Sequence, residues 1–264
     1  LPTERLIVWK QNGALFCEDE GGHESRHESV LRLIGQASEQ HDLPDFPPVV
    51  ISTADRPVDD TVCFSTADGC TAIPAPDFLF DAWPEVGISD YEQACREVAD
   101  AGRSPASQLV AGWIGNADTH PARRSLLALA ARSPLIEGLH APWPPDGLER
   151  LTMCEQVARW GALIDLEGNG WSARLKLLLH SGRPVLVVDR PWWEWWFPAA
   201  VPWEHYIPVR RDLADLEEQA CWVVEHPSEA GWIGWTGQSF AQRVLTRERA
   251  VAEWARILAG QTDQ

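Results

Sequence analysis

The chain has 264 residues, room for one large domain or two small ones with a sizeable core. Lys and Arg number 22 against 39 Asp and Glu, a formal charge of -17, so its surface repels nucleic-acid backbones and any phosphate recognition must be local. With no run of 18 apolar residues and no basic-then-apolar start, it is expected to be cytoplasmic, at most peripheral at the inner membrane.

In chain order, Leu6–Trp9 reads as a strand, pairing with Leu15–Cys17 across an Asn12-Gly13 turn. An amphipathic helix is expected over Glu28–His41, with Val30, Leu31, Leu33 and Ile34 on its apolar face. Residues 47–53 form a strand running into Asp55-Arg56-Pro57, and 62–64 and 71–73 are shorter strands. Asp90–Ala101 is a helix behind the Gly87–Ser89 turn. The second half alternates more regularly: strand 108–114, helix 121–131, short strand 135–136, helix 154–160, strand 162–166, helix 171–181 and strand 184–189. A strand at 206–209, a helix from an Asp212 N-cap to Glu225, and helices 228–245 and 247–259 complete it. Such alternation implies an α/β fold with parallel sheets covered on both faces. The domain boundary is placed near 100–108, giving domains 1–104 and 105–264.

The six cysteines are scattered without a C-x-x-C pair, and read as reduced, partly buried thiols. No zinc-ligand spacing or Asp-x-Asp motif is present, so no metal site is expected. Fifteen tryptophans stand against two tyrosines, four of them within 192–196. Core packing accounts for most of these, while a sugar-stacking wall is the sharper reading of the 192–196 cluster.

The most informative stretch is Gly168-Asn169-Gly170-Trp171-Ser172-Ala173-Arg174-Leu175-Lys176, between an apolar strand and a helical pattern. Two glycines allow a tight turn and a close backbone approach, and a helix N-terminus beside a hydroxyl and a guanidinium suits a diphosphate. A nicotinamide-dinucleotide site fits poorly: the third glycine is missing at its expected spacing, and Asp189 is the nearest approach to the ribose-binding acid.

Three pieces together resemble glycosyltransferase family 90: residues 168–176, Pro202–Val209 followed by Arg211–Leu216, and Gly237-Gln-Ser-Phe240. Weaker echoes lie at Trp113–Gly115 with Pro121–Arg123, Ala72–Pro74 with Ala82–Pro84, and Val49–Pro57. The resemblance implies a GT-B-like architecture, two Rossmann-like domains facing a cleft, with a compact N-terminal acceptor-side domain and a C-terminal nucleotide-sugar domain. It implies an inverting, metal-independent transfer of glucose or xylose from a UDP-sugar to a glycan, lipid-linked or protein hydroxyl. The short length favours a bacterial capsule or lipopolysaccharide pathway.

Mapped by position, Asp55 falls where the family has its general base; its alternative is the start of the Arg56-Pro57 turn. Ser172 and Arg174, with the backbone of Asn169, Gly170, Trp171 and Ala173 behind Gly168, would hold the UDP phosphates; the alternative is a capped helix with a solvent-facing arginine. Arg123 and Asn116 match donor-contacting positions. His205 and Tyr206 lie in the shared Pro-Trp-x-His-Tyr piece, for which a buried structural role is equally compatible. Ile114, Ser89-Asp90 and Gly161 replace basic residues common in the family, which motivates the rival reading of a non-catalytic nucleotide-sugar or glycan-binding relative.

Overall fold

A computed structural model describes residues 4–142 and 151–260; the ends of both expected domains, and 143–150 within the second, lie outside them. The chain divides into two compact units, one of Leu1–Glu92, Pro191–Pro198 and Val244–Gln264, the other of Gln93–Arg190 and Ala199–Arg243. The N-terminal and C-terminal segments therefore share one unit, whereas the expected division put the whole C-terminus with the second.

The first unit opens with a hairpin of β1 (Arg5–Gln11) and β2 (Ala14–Asp19). Asn12 and Gly13 both take positive φ, the conformation a two-residue hairpin needs, and Asp45 accepts from both their N–H groups. Helix α1 (Glu24–Gln40) buries Val30, Leu33, Ile34 and Ala37, one stripe at helical spacing. It begins a turn earlier than the apolar pattern predicts, because buried His27 is fixed by Asp19 and Thr53 rather than by apolar burial. The strands β3 (Phe46–Ser52), β4 (Val62–Cys63) and β5 (Ile73–Pro74) complete a sheet of order β2-β1-β3-β4-β5. β1 lies antiparallel to both β2 and β3, and only β3-β4-β5 are parallel. This sheet is thus mixed rather than parallel throughout, since a two-residue turn can join only antiparallel neighbours.

Helix α2 (Tyr91–Gly102) leads into the second unit. There the sequence runs β6 (Gln108–Gly115), α3 (Pro121–Ala130), β7 (Ile136–His140), α4 (Met153–Arg159), β8 (Trp160–Asp165), α5 (Leu175–His180), β9 (Val185–Val188) and β10 (Ile207–Val209), then α6 (Leu216–Glu225) and α7 (Pro227–Val244). Its sheet has the order β10-β9-β8-β6-β7, every pair parallel. Around it packs a core that includes Trp113, Leu126, Ile136, Ile164, Leu186 and Ile207. Gly112 on β6 is dictated by close packing: a Cβ there would fall 1.8 Å from the Trp160 ring on β8. Helix α4 starts at a capping box, with Thr152 and Glu155 each serving the other's backbone N–H.

Helix α8 (Arg247–Leu258) returns to the first unit. There Arg247 donates to the carbonyls of Phe80 and Asp81 and to the Asp90 carboxylate, and the Tyr91 hydroxyl donates to Leu245 O. The α/β class is borne out. Two further helix starts differ from expectation. Residues 171–174 precede α5 instead of forming its first turn, and α6 starts at Leu216 with Asp215 at the N-cap. Asp212 serves a turn instead, accepting from Ala214 N–H before Leu213, which takes a positive φ.

Candidate functional site

In the second unit the chain steps from β6 outward to β7, then crosses back and proceeds through β8, β9 and β10 on the other side. The winding therefore reverses between β6 and β8. Connections leave in opposite directions there, opening a crevice beyond the carboxyl ends of those strands, where doubly wound sheets bind ligands. The carboxyl ends are Gly115, leading into Asn116, and Asp165, leading into the 166–174 loop.

Asp165 is fully buried, and three groups converge on it. The Ser172 hydroxyl donates to Oδ1 at 2.6 Å, Arg174 Nε reaches the same oxygen at 3.4 Å, and Arg190 donates to Oδ2 at 2.6 Å. Arg174 also donates to the carbonyls of Ile114 and Ile164, tying the ends of β6 and β8 together. Ser172 and Arg174 are thus brought together as predicted, but around a carboxylate that the sequence reading did not single out. Neither faces solvent, since Ser172 is buried and the Arg174 side chain is 16% exposed, and Arg174 takes the N-cap position of α5 without a side-chain capping bond. Asp165 and Arg190 are the residues that the sequence reading missed. The available signal was the acid itself, since a charge inside the apolar run Ala162-Leu-Ile-Asp-Leu166 must find partners when that strand is buried.

Arg123, at the start of α3, donates to Glu167 O at 2.8 Å and Asn116 O at 3.0 Å. Its guanidinium and that of Arg174 both lie over the Trp113 ring, 5.5 and 5.7 Å from the centroid. Burial pushes Arg123 down to about 10, and the charges of Arg174 and Arg190 add to the push, with Asp165 and Glu167 opposing. Burial likewise lowers Arg174. Three arginines against the two buried acids Asp165 and Glu167 give a local excess of positive charge in an otherwise acidic chain.

Asn116 uses its side chain to cap the short turn after β6, accepting from Asp118 N–H at 3.0 Å. Gly168 and Gly170 are linked by a hydrogen bond from Gly168 N–H to Gly170 O, which closes a tight turn in which neither takes a positive φ. What Gly168 supplies is room, because a Cβ there would lie 3.0 Å from Arg123 Nη2. Asn169 is exposed at the loop tip, whereas Trp171 and Ala173 are buried. His120, at the N-cap of α3, points Nε2 toward the Glu167 carboxylate at 3.6 Å. Since its Nδ1 accepts from Ala122 N–H, the Nε2 nitrogen carries the proton.

His205 is buried, accepts from Val201 N–H at 2.8 Å and lies against Phe240 with centroids 4.6 Å apart. A Cβ at Gly237 would sit 2.5 Å from His205 O, and Gln238 donates to His180 O. Two of the three resembling pieces therefore join to fasten the 201–206 turn and α5 to α7. Burial raises the Tyr206 phenol, with the charge of Arg190 opposing.

In the first unit, Asp55 lies just past β3 with its side chain 36% exposed. Arg26 holds it at 3.0 Å while donating to Thr53 O at 2.9 Å and lying over the Phe78 ring. In the 192–196 cluster packing accounts for Trp195, which meets Phe80, and for Trp196, which is buried, while the half-buried Trp193 exchanges backbone hydrogen bonds with Thr66. Of the cysteines, all six are free and Cys17 is exposed. Among the described residues no group of His, Cys, Asp and Glu is arranged to hold a metal ion, and no helix is long and apolar enough to cross a membrane.

The model of the family described as Glycosyl transferase family 90 matches residues 40–261. Protein O-glucosyltransferase 3 of Homo sapiens is 32% identical over 95 residues, 36% of this chain and 19% of that protein. Protein O-glucosyltransferase 2 of Danio rerio is 38% identical over 82 residues, 31% of this chain and 16% of that protein. Among solved structures, Anabaena HepE in complex with UDP-glucose aligns with 67% of this chain and 46% of its own, at 12% identity and a TM-score of 0.42. The matched stretch is thus about a fifth or less of these two curated relatives.

Proposed function

Because the chain belongs to glycosyltransferase family 90, we propose that it moves a sugar from a UDP-sugar to an acceptor hydroxyl, with inversion and without a metal. Glucose is the favoured sugar, as the curated relatives are named O-glucosyltransferases, and xylose is the second choice. The acceptor is a hydroxyl of a glycan, a lipid-linked sugar or a protein, and bacterial surface-polysaccharide synthesis is the setting we favour.

The observation that carries this reading is the arginine-rich crevice at the winding reversal. A diphosphate brings the negative charge that Arg123, Arg174 and Arg190 together lack, and it offsets the repulsion from Arg174 and Arg190 that adds to burial in lowering Arg123. In the reaction the acceptor oxygen attacks the anomeric carbon, the bond from that carbon to the diphosphate oxygen breaks, and UDP leaves with the electron pair. The hydroxyl proton passes to the Asp55 carboxylate, the general base. Arg123 and Arg174 offset charge growing on the leaving diphosphate, with Ser172 and the backbone of 168–173 beside them. Asp165 acts one step back: its carboxylate sets the orientation of Ser172, Arg174 and Arg190. Arg26 orients Asp55.

The test is UDP release from UDP-glucose and UDP-xylose by wild type and Asp55→Asn. Release is expected to fall at least a hundredfold in the variant while UDP still binds. Release unchanged by the substitution removes Asp55 from the mechanism. UDP binding with no turnover in wild type, for any donor and acceptor tried, favours the binding-only relative.

A further inference from the structure

Between α6, α7 and the 201–206 turn lies a pocket of about 510 Å³ lined by Trp203, Trp222, Ser228, Glu229, Trp232 and Ile233. We propose that it is a second carbohydrate site, taking a neutral pyranose ring of an oligosaccharide, separate from the nucleotide crevice. The choice of a sugar as occupant rests in part on the sugar chemistry proposed above; the architecture of the pocket does not.

Trp203 and Trp232 are 43% and 51% exposed, although tryptophan ordinarily hides most of its surface. Trp203 and Trp222 meet edge to face, centroids 5.2 Å apart at 76°, and Trp222 is backed by the His226 ring stacked 5.0 Å behind it. Trp203 has a φ of 64°, a left-handed conformation that a bulky residue adopts only at a cost. The turn holds it there firmly. Its N–H donates to Tyr206 O at 2.7 Å, Val201 N–H and His205 Nδ1 join across the turn, and the Thr236 hydroxyl on α7 donates to Glu204 O. Gly237 lets the His205 carbonyl press against α7. Residues of irregular backbone thus hold a large apolar side chain rigid and half in water, an arrangement characteristic of ligand clamps.

The chemistry of the lining selects the occupant. Indole faces suit the C–H face of a pyranose, and Glu229 and Ser228, on α7 one turn before Trp232, can bond its hydroxyls. Among the described residues no Lys or Arg lines the pocket, which makes it a poor second site for the diphosphate. A methylated ammonium also likes tryptophan and a carboxylate, but wants a tight cage, and this pocket is in the size range of whole small-molecule sites. Trp235, 61% exposed and three residues further along α7, extends the same helix face for a neighbouring ring.

The experiment titrates the full chain with maltotriose, cellotriose and xylotriose, and separately with choline chloride, following tryptophan fluorescence and calorimetry. UDP is titrated in parallel, and sedimentation reports the oligomeric state. At least one trisaccharide is expected to saturate wild type and to bind at least tenfold more weakly to Trp232→Ala and Glu229→Gln, each keeping wild-type circular dichroism and UDP affinity. The proposal is overturned if no trisaccharide binds, if both variants bind like wild type, if choline binds in place of sugar, or if Trp232→Ala merely abolishes self-association. Trisaccharide binding in a chain that ignores UDP would leave this site standing and remove the donor reading instead.

Discussion

At the scale of single residues, the crevice is governed by one buried acid. Asp165 accepts from a hydroxyl and two guanidinium groups in a fully buried setting, so its charge is matched only while all three stay in place. Asp165→Asn keeps the shape but removes the countercharge and turns an amide N–H₂ toward either Arg190 or the Ser172–Arg174 pair. Breaking a buried pair in this way costs on the order of 3–5 kcal/mol, because the remaining charges stay desolvated. Urea denaturation should show a loss of that order, and a loss below about 1 kcal/mol would mean that the arginines find other partners. Gly168 supplies the complementary case. Its missing side chain makes room for the end of the Arg123 guanidinium, a flexible group, so Gly168→Ala should cost less than about 1 kcal/mol of stability. The displaced arginine should nevertheless weaken UDP binding about tenfold, which corresponds to roughly 1.4 kcal/mol. Calorimetry with UDP reads this directly, and an unchanged affinity would take Arg123 out of the diphosphate site.

At the scale of elements, Glu137 joins three of them: it lies on β7, accepts a paired hydrogen bond from Arg159 at the end of α4, and accepts from the indole N–H of Trp160 on β8. The Arg159 hydrogen bonds hold its carboxyl below the usual 4.5; burial opposes them, and the indole N–H adds a smaller downward push. A carboxyl lowered in the folded state contributes stability that is complete above its unfolded value and is lost as pH falls through the folded one. Wild type should therefore exceed Glu137→Gln by about 1–2 kcal/mol at pH 7, with the gap closing below about pH 4.5. Urea midpoints at pH 7, 5 and 3.5 measure this; a gap that stays constant with pH would assign the effect to packing. The sequence made the strands and long helices legible because apolar periodicity and turn residues such as Asn12-Gly13 act locally. It misplaced the starts of α1 and α5 for the opposite reason. At α1 the first turn is fixed by His27 bonding to Asp19 and Thr53, and residues 171–174 lie ahead of α5, where Ser172 and Arg174 reach Asp165. Side chains distant in sequence decide both boundaries, and no window of neighbours contains them. The same limit hid Asp165 and Arg190 as site residues, since their pairing spans 25 positions.

At the scale of the whole molecule, the formal charge of -17 and the arginine cluster act on a UDP-sugar in opposite senses. The surface acids repel a diphosphate over distances that salt shortens, because the Debye length falls from roughly 30 Å at 0.01 M to about 8 Å at 0.15 M. The arginines act at contact range: the side chains of Arg174 and Arg190 are 16% and 5% exposed, so mobile ions reach them poorly. Added salt should then remove repulsion more effectively than attraction. UDP affinity is expected to hold constant or rise as ionic strength goes from 10 to 150 mM, contrary to the fall seen where exposed cations bind phosphate. Calorimetry at four ionic strengths decides it. A fall of more than about threefold would show that exposed cations elsewhere on the chain carry the diphosphate, and that the buried trio around Asp165 is there for folding alone.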